Sequence, residues 1–271
     1  MNGLEQKYQF WLSIVTVCYN DEKNLTRTLD NLRRQPKDHV QIIVIDGGSE
    51  DNSKNIIQAN QDLISDWVSE KDNGLYDAMN KGIQMCRGQY IVFLNAGDVF
   101  HDDHVLPYVF QNHQNADILY GDSIFVHQDG SYKSPRHKII PKSLNWKSYK
   151  KGMVICHQAL FVKSCITVLY NTTYKVCADL DWAIRCTKKA ASTCNLEITV
   201  CDFQDDGISS RKRIQALIER WRILSHHYGI WQTFWNHLSI PLAFIIWKSH
   251  RFRTLKWSSV RSFIHHFTVK L

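Results

Sequence analysis

Four alternations of an apolar run with a helical pattern, joined by short connections, predict an α/β chain built on a parallel sheet with right-handed crossovers. A change of pattern from about residue 116 adds further strands, so the sheet is expected to be mixed and flanked by helices. A basic, Trp-rich stretch then predicts a helical C-terminal extension. With 271 residues and 44% apolar content, the chain can bury one large core and carry an appendage. We divide it into a domain over 1–207 and a tail over 208–271.

The first strand is SIVTVCY (13–19), short, apolar and β-branched. The wider stretch FWLSIVTVCYN has the apolarity of a signal-peptide core. It runs into DEKN with no small-residue cleavage site, so it reads as buried strand. DEKNLTRTLDNLRRQ puts Leu25, Leu29 and Leu32 on one helical face and stops at Pro36. VQIIVIDGG (40–48) is a second strand ending in a Gly-rich turn, followed by a helix over 51–61 and the short strand LISDWVSE. Asp72-Asn73-Gly74 then opens a helix with Leu75, Met79 and Ile83 in an apolar stripe. QYIVFLNAGD (89–98) is a strand with polar residues at its carboxyl end. In the second half, DILYGDSIFVHQDGSYKS is a hairpin turning at Asp129-Gly130, and GMVICHQALFVKS is a strand. DLDWAIRCTKKA is a helix and NLEITVCDF a strand.

In open parallel sheets, ligands bind beyond the carboxyl ends of the strands. Those ends carry Tyr19-Asn20, Asp46-Gly47-Gly48-Ser49, Asp72-Asn73-Gly74 and Asn95-Ala96-Gly97-Asp98, so four polar clusters are expected on one edge. On the helix after Gly74, Asn73, Asp77, Asn80 and Lys81 share a second face. That face is either solvated surface or the wall of a pocket at a helix N-terminus.

The eight cysteines contain no CxxC pair, which argues against a zinc knuckle or a thioredoxin-like site. Several lie in apolar runs, as reduced core residues of a cytoplasmic protein do. Charge is uneven: residues 208–271 hold eleven Lys/Arg and one acid, Glu219, while the other 207 residues carry 22 basic and 25 acidic side chains. The tail is therefore suited to an anionic partner.

The segments SIVTVCYN, IIVIDGGSEDNS, SEKDNGLYDAMNKGI, YIVFLNAGDVFHDD, CHQALFVK, YKVCADLDWAIR and DFQDDGISS occur in the order and spacing of a known family. Residues 12 to about 207 resemble inverting glycosyltransferases of family 2 with the GT-A nucleotide-sugar fold. The resemblance is close to the colanic-acid-type subgroup of cell-surface polysaccharide biosynthesis. It implies transfer of a sugar from a nucleoside diphosphate to an acceptor hydroxyl with inversion. Such a reaction needs a base for the hydroxyl and positive charge for the diphosphate, but no general acid, because the leaving group is already acidic.

By this resemblance, Asp46 contacts the nucleoside, with Ser49 in the same turn and Tyr19 and Asn20 closing the pocket. Asp72, Asn73 and Gly74 match donor-site positions, and Asp77, Asn80 and Lys81 continue towards the sugar or its diphosphate. Asn95-Ala96-Gly97-Asp98 stands where relatives carry an Asp-rich metal motif. Asp98 is the one anionic ligand left there for a divalent manganese or magnesium ion. The family places its general base at Asp179, with Asp181 second, although Asp at a helix start also serves as a cap. His157 and Gln158 match an acceptor-side motif, and His157 reads equally as a satisfied core histidine.

Ile223 to Trp247 is free of Asp, Glu, Lys and Arg, yet it contains Gln232, Asn236, His237 and Pro241. That composition is poor for a transmembrane helix. Trp231, Trp235 and Trp247 beside basic clusters suit helices lying on the inner face of the cytoplasmic membrane, and a packed subdomain with a solvated basic face is the alternative. Lipid is favoured over nucleic acid, and the implied acceptor is a saccharide or lipid-linked oligosaccharide. The competing reading from another class is a non-catalytic, membrane-docked scaffold. A nicotinamide-dependent enzyme is disfavoured because no G-x-G-x-x-G follows the first strand.

Overall fold

The computed structural model describes residues 8–127, 129–135, 139–204 and 212–237. By their internal contacts the residues form two compact units, 1–220 and 221–271. In the first unit, β1 (Phe10–Cys18), β2 (Val40–Asp46), β3 (Asp66–Ser69) and β4 (Gly88–Phe93) pair in parallel. Every residue of β2 is buried, as an apolar strand covered on both faces requires. Helices α1 (Glu22–Arg34), α2 (Ser53–Ala59) and α3 (Leu75–Met85) make the crossovers. Beyond β4 the sheet turns mixed. β8 (Leu160–Lys163) pairs antiparallel with β4, β6 (Ile118–Val126) antiparallel with β8, and β9 (Thr193–Gln204) parallel with β6. The strand order is β3-β2-β1-β4-β8-β6-β9-β5, where β5 is Val99–Phe100, with β7 (Tyr132–Pro135) paired to β6.

The hairpin expected at Asp129-Gly130 is formed by β6 and β7. Three local expectations change. GMVICHQALFVKS is not one strand: a 3-10 turn at His157–Ala159 interrupts it, leaving only Leu160–Lys163 extended. The turn directs Gln158 to Asp98 and His157 to Asn95 and Asp179, which a straight strand with alternating side chains could not do. The buried face of α3 is Tyr76, Ala78, Met79 and Gly82, so Leu75 and Ile83 are only half-buried. The small residues let α3 press onto β1: a Cβ on Gly82 would lie 2.3 Å from Val15 Cγ1. Finally, β5 (Val99–Phe100) and α4 (Val105–Asn112) have no counterpart in the sequence reading. Pro107 obscures the helical pattern, but it sits in the first turn, where its missing N–H leaves no bond unmade.

Helix α5 (Ala178–Lys189) rests on an aromatic floor. Trp182 is fully buried and stacks on Tyr170 with centroids 5.1 Å apart, Phe93 meets both edge-on, and Tyr76 stacks on Tyr170 at 5.4 Å. All eight cysteines are free thiols, six of them buried.

Helix α6 spans Arg213–Tyr228, and residues 230–237 are helical. In the second unit Ile223 and Leu224 are buried, whereas Trp231 and Trp235 are 78% and 63% exposed. Among the described residues no helix is long and apolar enough to cross a membrane. Pro241 and Trp247 lie outside the described residues.

Candidate active site

The carboxyl ends of β1 to β4 gather the four polar clusters, and each is held differently. Asn20, at φ +48°, donates its N–H to Ser49 Oγ at 2.8 Å, and Glu50 N–H donates to Asn20 Oδ1 at 2.8 Å. These bonds tie the end of β1 to the turn after β2. Asp46 is wholly buried; its carboxylate accepts from Ser49 N–H, Ser49 Oγ and Ser69 Oγ. Asp46 therefore shapes the Gly-rich turn from inside. Gly47 makes a shallow cradle, because a Cβ there would meet Asp72 Oδ2 at 3.0 Å and Tyr19 Cδ2 at 3.2 Å. Tyr19 is 65% exposed, so its ring face is offered at the lip of that cradle.

Asp72 and Glu70 both bind Lys81 Nζ. Burial works against the ammonium, but the two carboxylates outweigh it and raise its pKa, so Lys81 is charged. Gly74, at φ +112°, lets the chain turn into α3, and Asp77 Oδ2 accepts the Asn73 N–H at 3.0 Å. Asn80 clamps residue 170, donating to Tyr170 O at 3.0 Å and accepting from Tyr170 N–H at 2.7 Å. Of the polar stripe on α3, Lys81 thus faces the Asp72 cluster, while Asp77 and Asn80 hold backbone.

At the end of β4, Gly97 has φ +95° and its N–H donates to Thr28 Oγ1. Ala96 N–H donates to Val17 O. Asp98 points inward and accepts from Gln158 Nε2 at 2.8 Å. Burial pushes its pKa up to about 7, although Gln158, the Asn95 backbone and Arg27 pull the other way. Asn95 Oδ1 is buried with no partner, while its Nδ2 lies 3.4 Å from His157 Nε2.

His157 joins this strand end to α5, with Nδ1 3.8 Å from Asp179 Oδ2. Asp179 also lies 3.4 Å from the hydroxyl of Tyr76, whose shorter bond goes to Val176 O at 2.8 Å. Burial, followed by the Asp179 charge, lifts the Tyr76 pKa well above its usual value, so the phenol stays a donor. The two carboxylates of α5 have different surroundings. The Asp179 side chain is 25% exposed and that of Asp181 only 5%, with Asp181 accepting from Arg185 Nε at 2.7 Å.

Asn95, His157, Asp179 and Tyr76 thus come together, as do Tyr19, Gly47, Asp72 and Lys81. Asp98 with Gln158, and Asp181 with Arg185, turn into the protein. Tyr76, the second residue of α3, has no counterpart in the sequence reading. Among the described residues no three His, Cys, Asp or Glu side chains converge as a self-contained metal centre. The orphaned Asn95 Oδ1 and the buried Asp98 carboxyl nevertheless fit a divalent cation brought in with a diphosphate, since such ions accept few protein oxygens.

A sequence profile described as Glycosyl transferase family 2 matches residues 13–173. A PGL/p-HBAD biosynthesis glycosyltransferase from Mycobacterium bovis (strain BCG / Pasteur 1173P2) is 28% identical over 205 residues, 72% of this chain and 77% of that one. Among solved structures, S. aureus TarS 1-349 in complex with UDP-GlcNAc matches with TM-score 0.64 at 14% identity, over 85% of this chain and 73% of that chain. A longer TarS chain is matched over 42% of its length. Mannosyltransferase PcManGT from Pyrobaculum calidifontis, in complex with GDP-Man and Mn2+, gives TM-score 0.59 at 14% identity, over 98% of this chain and 84% of that chain. At these identities the likeness concerns the fold, a GT-A-type mixed sheet flanked by helices.

Proposed function

The chain belongs to glycosyl transferase family 2, and from that premise we propose that it is an inverting enzyme carrying a sugar from a nucleoside diphosphate to a saccharide hydroxyl. One observation supports this above the others: Asp179 is a partly exposed carboxylate beside both the donor helix and the end of β4. The acceptor hydroxyl is a weak nucleophile, and Asp179 would take its proton as oxygen bonds to the anomeric carbon from the face opposite the diphosphate. His157 and Tyr76 would hold the carboxylate in place. Asp181 is engaged by Arg185 and would keep α5 in register.

At the donor end, the nucleobase would lie on the exposed Tyr19 ring over Gly47, with the turn shaped by Asp46, Asn20 and Ser49. Asp72, Asn73 and Gly74 border the same space. Lys81, tied to Asp72 and Glu70, would fix that border, and Asp77 and Asn80 the helix and the segment before α5. Asn95 and Asp98, in the loop Asn95-Ala96-Gly97-Asp98, would hold a divalent cation whose charge offsets that of the departing diphosphate.

The acceptor we favour is a lipid-linked oligosaccharide of cell-surface polysaccharide or exopolysaccharide assembly, as in the colanic-acid-type subgroup. The exposed Trp231 and Trp235 beside a strongly basic tail support peripheral docking on an anionic membrane. The test is thermal stabilisation by a panel of nucleoside diphosphates with and without manganese, followed by radiolabelled sugar transfer with membranes. One nucleoside diphosphate is expected to raise the melting temperature, and its sugar to be transferred. No stabilisation by any of them, with no transfer, would sink the proposal in favour of the scaffold.

A further inference from the structure

Glu219 is the lone acid of the tail and one of the most buried carboxylates of the first unit, at 5% exposure. Its Oε2 accepts from Val176 N–H at 2.8 Å and Cys177 N–H at 3.0 Å, and its Oε1 from Lys175 N–H at 3.0 Å and Gln215 Nε2 at 2.9 Å. Burial disfavours the charge, but these donors outweigh it and lower the pKa, so Glu219 is a carboxylate at neutral pH. The three backbone donors are consecutive, and Cys177 is the N-cap residue of α5, where no side chain supplies a cap. From the opposite side, Tyr76 donates its hydroxyl to Val176 O at 2.8 Å. Residues 175–177 are therefore gripped by α6 through their N–H groups and by α3 through a carbonyl. Asp179 follows two residues later.

We propose that Glu219 is a positioning residue for the reaction, setting through residues 175–177 the place of Asp179 relative to the donor helix. This rests on the reading of Asp179 as the base. Shape alone does not explain the site, because an amide cannot replace the carboxylate. Glutamine has one oxygen for four donors and, whichever way its amide turns, would set an NH2 group against two of them. A misplaced base lowers the rate of proton removal while leaving donor binding intact, since Tyr19, Gly47, Asp72 and Lys81 are not held by Glu219. The first 207 residues are accordingly not the whole catalytic apparatus.

The experiment is a double-mutant cycle in the full-length protein, with Glu219→Gln, Asp179→Asn and the pair, measuring kcat, donor KM, nucleoside diphosphate binding and melting temperature. Glu219→Gln is expected to lower kcat tenfold or more with donor KM within about twofold. In the Asp179→Asn background it should lower kcat no further, which a general loss of folded protein would not mimic. Full loss in Asp179→Asn with wild-type kcat in Glu219→Gln, or additive losses in the pair, would overturn the positioning role. Wild-type kcat in Asp179→Asn would instead overturn the assignment of the base. Should Glu219→Gln fail to fold, Tyr76→Phe removes the opposite grip. It is expected to show the same fall in kcat at constant donor KM, and unchanged kcat would refute the proposal.

Discussion

The proposed donor edge and α5, the helix of the proposed base, are assembled by different means. At the donor edge the polar groups are joined by contacts of modest sequence separation: Asp46 to Ser49, Asp72 to Lys81, Asn20 to Ser49. Around Asp179 the contacts run from Tyr76 to Val176, from Asn80 to Tyr170 and from Glu219 to Cys177. Each of these joins separate segments of the fold. The polar groups of the donor edge are held by the strand ends, the turns after them and α3, whereas the segment before Asp179 is held from both α3 and α6. Substitutions at the donor edge should therefore change affinity, and substitutions around α5 should change rate.

The sharpest break of that contrast lies within α5 itself. Asp179→Asn is expected to reduce turnover about a hundredfold or more with little change in donor affinity. Asp181→Asn should keep most of its turnover but lose about 1–3 kcal/mol of stability, because it weakens a charge-assisted bond to Arg185 in a buried place. Turnover and melting temperature of both variants decide it, and a folded but inactive Asp181→Asn with an active Asp179→Asn would reverse the roles.

A smaller effect should come from Tyr19. Its ring is exposed rather than packed, so Tyr19→Ala removes a stacking surface without opening a core cavity. The donor KM should rise about tenfold, in line with the ~1–3 kcal/mol that base–aromatic stacking contributes elsewhere, with kcat changed less than twofold. A fall in kcat at constant KM would place Tyr19 with the rate-setting residues.

The same contrast separates what could be read from sequence from what could not. The parallel half was legible because strands such as VQIIVID and their terminal turns carry local signals: β-branched runs, Gly and Asp. Asp179 and Asp181 could be found as a pair, but only burial and the Arg185 bond tell them apart. The turn at His157 was hidden inside an apolar run, because its cause lies in partners on β4 and α5. Glu219 stood out in composition as a single acid among eleven bases, yet nothing local to it announces three N–H donors more than forty residues away.

The tail sharpens the comparison further, since it contains both the Glu219 grip and the basic, Trp-rich segment. Removing residues 238–271 deletes six Lys/Arg and no acid, and it leaves Glu219 in place. Binding to anionic vesicles at low salt should weaken severalfold, and the intact protein's binding should itself fall as salt is raised. Turnover on a water-soluble acceptor should stay within about twofold. Vesicle sedimentation and kinetics on the same preparations test both halves, and an intact protein that ignores anionic vesicles at low salt would end the interfacial reading.

A last prediction concerns Asp98, which is bonded by Gln158 and is read through stability rather than through rate. Burial raises its pKa to about 7 in the folded protein, against about 4 in an unfolded chain. The native state therefore binds this proton more tightly than the unfolded state. Between pH ~4 and ~7 the stability contributed at this position falls as pH rises, and the penalty for the buried charge is complete above pH ~7. Asp98→Asn has no proton to lose and can still accept the bond from Gln158. With chelator present, the variant should gain in melting temperature relative to the wild type by a few degrees on going from pH 5 to pH 8. A difference that stays constant, or moves against the variant at pH 8, would mean that Arg27 and the surrounding donors already stabilise the carboxylate. Asp98 would then be a permanent anion at the end of β4. Repeating the pH 8 measurement with manganese adds the converse test: a cation held by Asp98 favours the charged form, so manganese should close the gap between the two proteins.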